Sequence, residues 1–244
     1  MSVPGLPTGA ANSGGILILG QSQNDVDVFV SLNSPPYVST FSVIVGAGIA
    51  IGSTSALTPA MDFTGFAAGS TFNLINRGRI GGAGGNGGRG GDGFPLATNF
   101  AGAGGGGGAG SVPGLGGGAT PLGTVGQPGG ALLGGVHGTS LTASSPPFLF
   151  TEEGQNGGDA ILSGTFVLNI TNIEGEIWGG GGGGVGGFQP NPTLFDGSNG
   201  GDIATDCEHI GLLENGFAGY AVRGTAVTFI SGPSDPNVKG LVGA

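Results

Sequence analysis

Residues able to do chemistry are few in this chain of 244: 15 Asp and Glu, five Lys and Arg, two His and one Cys. The densest group is Asp202, Asp206, Cys207, Glu208, His209 and Glu214. Its Cys-x-His step lacks the ligand spacing of a structural zinc site, so it reads as a solvated acidic loop. Gly87 to Pro95, GGRGGDGFP, fits the calcium nonapeptide G-G-x-G-x-D-x-U-x. Such sites complete their oxygen cage from stacked tandem copies. With a single copy present, Asp92 reads as the third residue of a glycine triplet. Asp159 and Asp202 each follow Asn-Gly-Gly, where a carboxylate can accept hydrogen bonds from glycine N–H groups. His137 and His209 stand in unrelated settings, and Glu152-Glu153 and Glu174/Glu176 lie near turns without a nucleophile. The glycine runs lack Gly-Lys-Ser/Thr, so no phosphate-binding loop is present. We therefore expect no enzyme, no cofactor and no metal.

The aromatic residues are a better lead. Phe94, Phe100, Phe148, Phe150, Phe188 and Phe195 flank glycine runs, in the segments FPLATNF (94–100), VHGTSLTASSPPFLF (136–150) and FQPNPTLF (188–195). His137 joins them as a contact candidate in the second segment. Loops on a rigid scaffold commonly carry binding. Exposed rings suit stacking on sugars or packing against a protein surface. The same rings could instead plug the ends of the glycine runs as small cores, and both readings stand at this point.

What must position them is unusual. Gly makes up 61 of the 244 residues. Each Gly costs a helix interior about 1 kcal/mol relative to Ala, so a helical bundle is excluded and almost no α-helix is expected. Charged residues are 8 % of the chain and mean hydropathy is +0.25, the opposite of a disordered composition. Net charge is −10, split as four acids and three bases in residues 1–150 and eleven acids and two bases in 151–244. That balance disfavours nucleic acid and anionic membrane surfaces as partners. One Cys cannot make an intrachain disulfide. The opening MSVPGLPTGAANSGG carries no base and no apolar run, so no secretory signal is expected there. The most apolar stretch, Phe41 to Ile51, is about half the length of a membrane helix.

Residues 15–66 read as strands. GILILGQ, DVDVFVSL and YVSTFSVIVGAGIAI are β-branched runs separated by Gly, Asn, Ser and Pro. From Gly81 to Asp92 the chain reads GGA GGN GGR GGD. A period of three fits a left-handed polyproline-II-type helix of about 3.1 Å rise per residue, roughly 37 Å for this run. Ala83, Asn86, Arg89 and Asp92 would project from one edge and tolerate change. The other edges would be bare backbone, letting neighbouring rods bond through N–H and C=O. Looser runs recur at 101–110, 114–119, 129–136, 154–159, 179–188 and 197–202. A unit of strand, Asn-turn, short strand and glycine run appears twice, at 72–80 and 168–177, with one extra residue in the second copy. Arg77-Gly78-Arg79 in one copy matches Glu174-Gly175-Glu176 in the other. Stacked copies would bring unlike charges together; separate copies would leave both turns in solvent.

INRGRIGGAGGNGG (75–88) and ITNIEGEIWGGGGGG (170–184) resemble the strand-turn-strand running into polyglycine of bacteriophage tail-fibre and tail-tip adhesins. NGGDAI (156–161) and GYAVRGTAVTFI (219–230) are similar to other segments of those proteins. The resemblance covers about residues 70–235 and leaves the N-terminal part unmatched. Residues 1–66 are expected, on their β-branched runs, to form an all-β module for virion attachment; the resemblance implies a sandwich of packed polyglycine-II helices in 67–244. It further implies a virion location at the tail tip or fibre, outside the cell. The implied partners are other tail or capsid proteins and a bacterial surface receptor, an outer-membrane protein or polysaccharide, with a homotrimer among the assemblies open to it. The alternatives are a non-adhesive structural virion protein, such as a head decoration or tail accessory, or a cell-surface glycine-rich repeat protein. Mycobacterial PE proteins share the GGX pattern but follow a helical domain. Glycine-rich antifreeze proteins share it with disulfides and a regular flat face.

Overall fold

The computed structural model describes residues 14–88, 108, 110–119, 124–136, 154–184, 200–206, 216–230 and 236–243. The first strands are β1 (Ile16–Leu19), β2 (Gln23–Asn24) and β3 (Val26–Asp27). A four-residue helix, α1 (Val28–Ser31), follows, with the Asp27 carboxylate accepting from Val30 N–H at its start. Next come β4 (Thr40–Val45), β5 (Ala50–Gly52) and β6 (Met61–Asp62), then β7 (Thr71–Asn76), β8 (Arg79–Gly81) and β9 (Ile161–Leu162). The last six are β10 (Val167–Asn172), β11 (Glu176–Trp178), β12 (Val222–Arg223), β13 (Val227–Phe229), β14 (Val238–Lys239) and β15 (Val242–Gly243). All pairings are parallel, and every third strand joins the same sheet: β1-β4-β7-β10-β13, β2-β5-β8-β11-β14 and β3-β6-β9-β12-β15. The chain therefore winds through five turns of a three-sheeted parallel solenoid. This agrees with the nearly all-β expectation.

Alternation explains the core. In β4, β7 and β10 every second residue is buried. Register then stacks like on like: Phe41, Phe72 and Leu168 in one column, Val43, Leu74 and Ile170 in the next. Phe41 and Phe72 stack at 5.1 Å, and Phe63, Phe66 and Phe166 pack edge-on or tilted around Phe72. The other two sheets face this column with Ile51, Ile80 and Ile177, and with Val26, Met61, Ile161 and Val222. The expected boundary at 66/67 lies between β6 and β7, and all three sheets and the core continue across it.

The two copies of the strand-turn unit do stack. β7 and β10 pair over six residues, with Asn73 opposite Asn169 and Asn76 opposite Asn172. Asn76 is fully buried; its amide donates to the Asn172 side chain at 2.9 Å and its carbonyl accepts from Gly78 N–H at 3.1 Å. The extra residue of the second copy is absorbed at Glu174, whose φ is +59°. Downstream, Glu176 and Arg79 are register partners joined by an ion pair of 2.8 Å. Arg77 and Glu174 border the same shallow groove without an ion pair between them.

Both glycine-rich insertions leave the solenoid at one corner, between the second and third sheets: one between β8 and β9, the other between β11 and β12. Their backbones bond with a period of three. Gly82, Gly85 and Gly88 donate to the carbonyls of Trp178, Gly181 and Gly184 at 2.9, 2.9 and 2.7 Å. Gly84 and Gly87 donate to Val112 and Leu115, and the carbonyls of Ala83 and Asn86 accept from Gly158 and Gln155. Gly179 to Gly184 are all buried, and bond to five described segments: 82–88, 154–158, 200–205, 216–219 and 236–240. None of the described rod glycines has a positive φ. Their role is close approach. A Cβ on Gly180 would lie 1.8 Å from the Ala83 carbonyl oxygen, and one on Gly182 1.8 Å from that of Gly216.

The third residues of the triplets do not simply project. Ala83 is 1 % exposed. Asn86 accepts from Leu115 N–H at 2.8 Å and donates to Gln155 Oε1 at 3.0 Å, tying two neighbouring segments together. The tolerance expected at Asn86 is corrected accordingly. The described part of that run ends at Gly88, and Arg89 and Asp92 lie outside the described residues.

Two outcomes follow. Gly182→Ala should lose at least the upper part of the ~1–3 kcal/mol typical of overpacking in urea unfolding, while Gly20→Ala, whose added Cβ meets nothing within 4 Å, should change little. A double-mutant cycle on Arg79→Glu and Glu176→Arg should return a coupling of about 0.2–1 kcal/mol, modest because the two side chains are 70 % and 39 % exposed.

Candidate binding groove

Beside the corner from which the insertions leave, the second turn makes the shorter loop 53–60 between β5 and β6. Asp25, the corner residue of the first turn, sits at φ +52°. Its carboxylate accepts from Thr54 N–H at 2.9 Å, from the Thr54 hydroxyl, and from the Thr58 hydroxyl at 3.2 Å. Burial alone would raise this carboxyl; the hydrogen bonds from Thr54 and Thr58 outweigh it and hold it below the usual carboxylate range. From below, the Ser53 hydroxyl donates to the loop's own Thr58 carbonyl at 2.6 Å. Thus pinned, the loop presents Leu57 94 % exposed.

The opposite wall comes from the insertions. Gln155 and Asn156 lie on a segment bonded to both 82–88 and 179–184. The Asn156 carbonyl accepts from Phe217 N–H at 2.9 Å, bringing the half-exposed Phe217 ring to the same rim. At the floor, Asp159 accepts from Tyr220 N–H at 2.9 Å and pairs with Arg223, whose Nε lies 3.0 Å away and Nη2 3.2 Å away. The guanidinium rests over the Tyr220 ring, 4.8 Å from its centroid. Burial raises the Asp159 carboxyl above its ordinary value, against the pull of the Tyr220 hydrogen bond and the Arg223 charge. Between the walls is a groove of about 620 Å³, within the size range of small-molecule sites.

The sequence-predicted contact residues Phe94, Phe100, His137, Phe148, Phe150, Phe188 and Phe195 all lie outside the described residues. So do Cys207, Glu208, His209 and Glu214 of the acidic group. Its described members act as ties between segments: Asp202 accepts from Gly134 N–H at 2.9 Å and Asp206 from Ala218 N–H at 2.7 Å. The expected pairing of Asp202 with a glycine N–H is found; Asp159 takes Tyr220 instead. Among the described residues no group of three potential metal ligands gathers. Sequence reasoning missed Phe217 and Leu57. Phe217 carried a usable signal, since it follows Gly216 as Phe94 follows Gly93 and Phe188 follows Gly187. Leu57 carried none, because its exposure is set by the Asp25 contacts from the preceding turn.

No protein-family model matches the chain, and no curated protein matches it. Among solved structures, it is similar to the crystal structure of the gp37–gp38 adhesin tip complex of the bacteriophage S16 long tail fibre. The likeness is 16 % identical, spans 93 % of this chain and 81 % of that one, and has a TM-score of 0.43.

The two shifted carboxyls make opposite demands on pH. Asp159 binds its proton more tightly folded than unfolded, so its contribution to stability falls as pH rises through the window above the ordinary carboxylate value. Asp25 binds its proton less tightly folded; its contribution is present above the ordinary value and is lost as pH falls through its lowered one. On acidification from neutral pH, the wild type should gain stability relative to Asp159→Asn and lose it relative to Asp25→Asn. Urea midpoints across the acid range check both signs.

Proposed function

We propose that this chain is a non-enzymatic virion protein of a bacteriophage tail fibre or tail tip, acting as an adhesin for the bacterial surface. The observation that carries the reading is the joint one at 75–88 and 170–184. These segments resemble the strand-turn-polyglycine units of tail adhesins, and they are adjacent turns of one solenoid whose glycine runs bond to each other. We read the rods as polyglycine-II helices, on their bonding period of three and the absence of positive φ. We place recognition in the segments 94–100, 136–150 and 188–195, which the sequence puts between the glycine runs, since loops on a rigid scaffold commonly carry binding. We assign receptor contact to their aromatic residues and virion attachment to the first solenoid turns, with other tail proteins as the partners there.

Deleting 136–150 from the phage-encoded chain tests this. Particles should assemble and carry the protein but lose adsorption to host cells. Retained adsorption would contradict the adhesin reading and favour a structural virion component.

A further inference from the structure

We propose that the groove between the 53–60 loop and the glycine body is a binding site for an N-acetylated sugar residue of a surface glycan. This goes beyond the adhesin reading and uses none of the loops assigned above to receptor contact.

Several polar atoms of the groove are already committed within the fold. Leu115 N–H fixes the Asn86 carbonyl, so the Asn86 amide nitrogen must face Gln155 and take its Oε1. That leaves the Gln155 Nε2 donor without a partner among the described residues. Asn156 gives its Oδ1 to the backbone N–H of Phe217, leaving its Nδ2 donor likewise. Arg223 spends Nε and Nη2 on Asp159 and keeps Nη1. The Asp159 oxygens are taken by Tyr220 and Arg223. Gln155, Asn156 and Arg223 thus offer donors, while the side-chain oxygens of Gln155, Asn156 and Asp159 already receive hydrogen bonds. These donors suit a ligand that brings acceptor oxygens.

Charge then narrows the class. The chain carries a net −10, and the one guanidinium in the groove is already neutralised by Asp159. An anionic ligand gains little there. A neutral carbonyl fits the amide donors without that opposition. The walls add a second requirement: Leu57 is 94 % exposed and Phe217 54 % exposed. Two large exposed apolar side chains lining one groove suit an apolar partner, such as a methyl group and the C–H face of a pyranose. An acetamido sugar supplies carbonyl, methyl and apolar ring face together. A plain hexose carries the same kind of ring hydroxyls but lacks both the amide carbonyl and the methyl.

Saturation-transfer NMR on the purified full chain tests this, using the trimer of N-acetylglucosamine as probe and maltotriose as control. Transfer should reach the acetyl methyl protons and be much weaker for maltotriose. Asn156→Ala and Leu57→Ala should each weaken trimer binding about tenfold, the effect of losing one well-placed contact. Leu57 is solvent-exposed, so its variant tests the groove without threatening the fold. No transfer to the methyls, equal transfer to maltotriose, or binding unchanged in both variants would overturn the proposal. The 136–150 deletion should leave trimer binding intact; its loss there would move the site to that loop and overturn the groove. Adsorption in phage reports on the adhesin reading separately.

Discussion

The backbone hydrogen bonds made by Gly179 to Gly184 are the constraint on which the rest depends. Six consecutive buried residues without side chains bond to five neighbouring segments among the described residues. Burying peptide groups costs free energy unless each N–H and C=O finds a partner. In an ordinary core, side chains fill the space and secondary structure satisfies the backbone. Here the backbone does both. The close approach this demands excludes a Cβ at Gly180, Gly181, Gly182 and Gly183 alike, since each would lie within about 2.1 Å of a carbonyl oxygen. The glycine content is a steric requirement before it is a conformational one.

That body needs a starting surface, and the solenoid gives it one. β8 and β11 end in Gly81 and Trp178 as register partners, so the two insertions leave side by side and in phase. Gly82 then bonds to Trp178, continuing the sheet pairing into the rods with a change of period from two to three. The solenoid keeps a conventional apolar core of Phe41, Phe72, Leu74 and Ile170, and the rods extend from its edge. Asn76 and Asn172 sit one corner earlier, at the ends of β7 and β10, and satisfy that turn from inside. The groove lies where the shorter corner loop of the second turn meets the longer excursions of the third and fourth.

Much of this was readable from the residues. The copies at 72–80 and 168–177 marked two strands of one kind, and the matched Arg79 and Glu176 marked the contact that stacking makes, but the residues left stacked and separate copies both open. The turn at 40–52 went unrecognised as a third copy, because Ser42 and Val45 replace the two Asn that mark the others. The third sheet was invisible: its strands are two residues long, too short for any periodicity. The long insertions also separate β8 from β9 and hide the repeat length, so one solenoid read as a module plus a body. The groove was not legible at all, since it joins residues from 25, 57, 155, 217 and 223.

Amide hydrogen exchange of Gly180 and Gly183 tests the central claim most directly. Both donate to carbonyls of the 154–158 segment, at 2.9 and 2.8 Å. If the backbone core is as described, these amides open only with global unfolding. Their protection then equals that of the Val43, Leu74 and Ile170 amides in the solenoid. Exchange within about tenfold of the unprotected rate, as for a surface loop, would contradict the account.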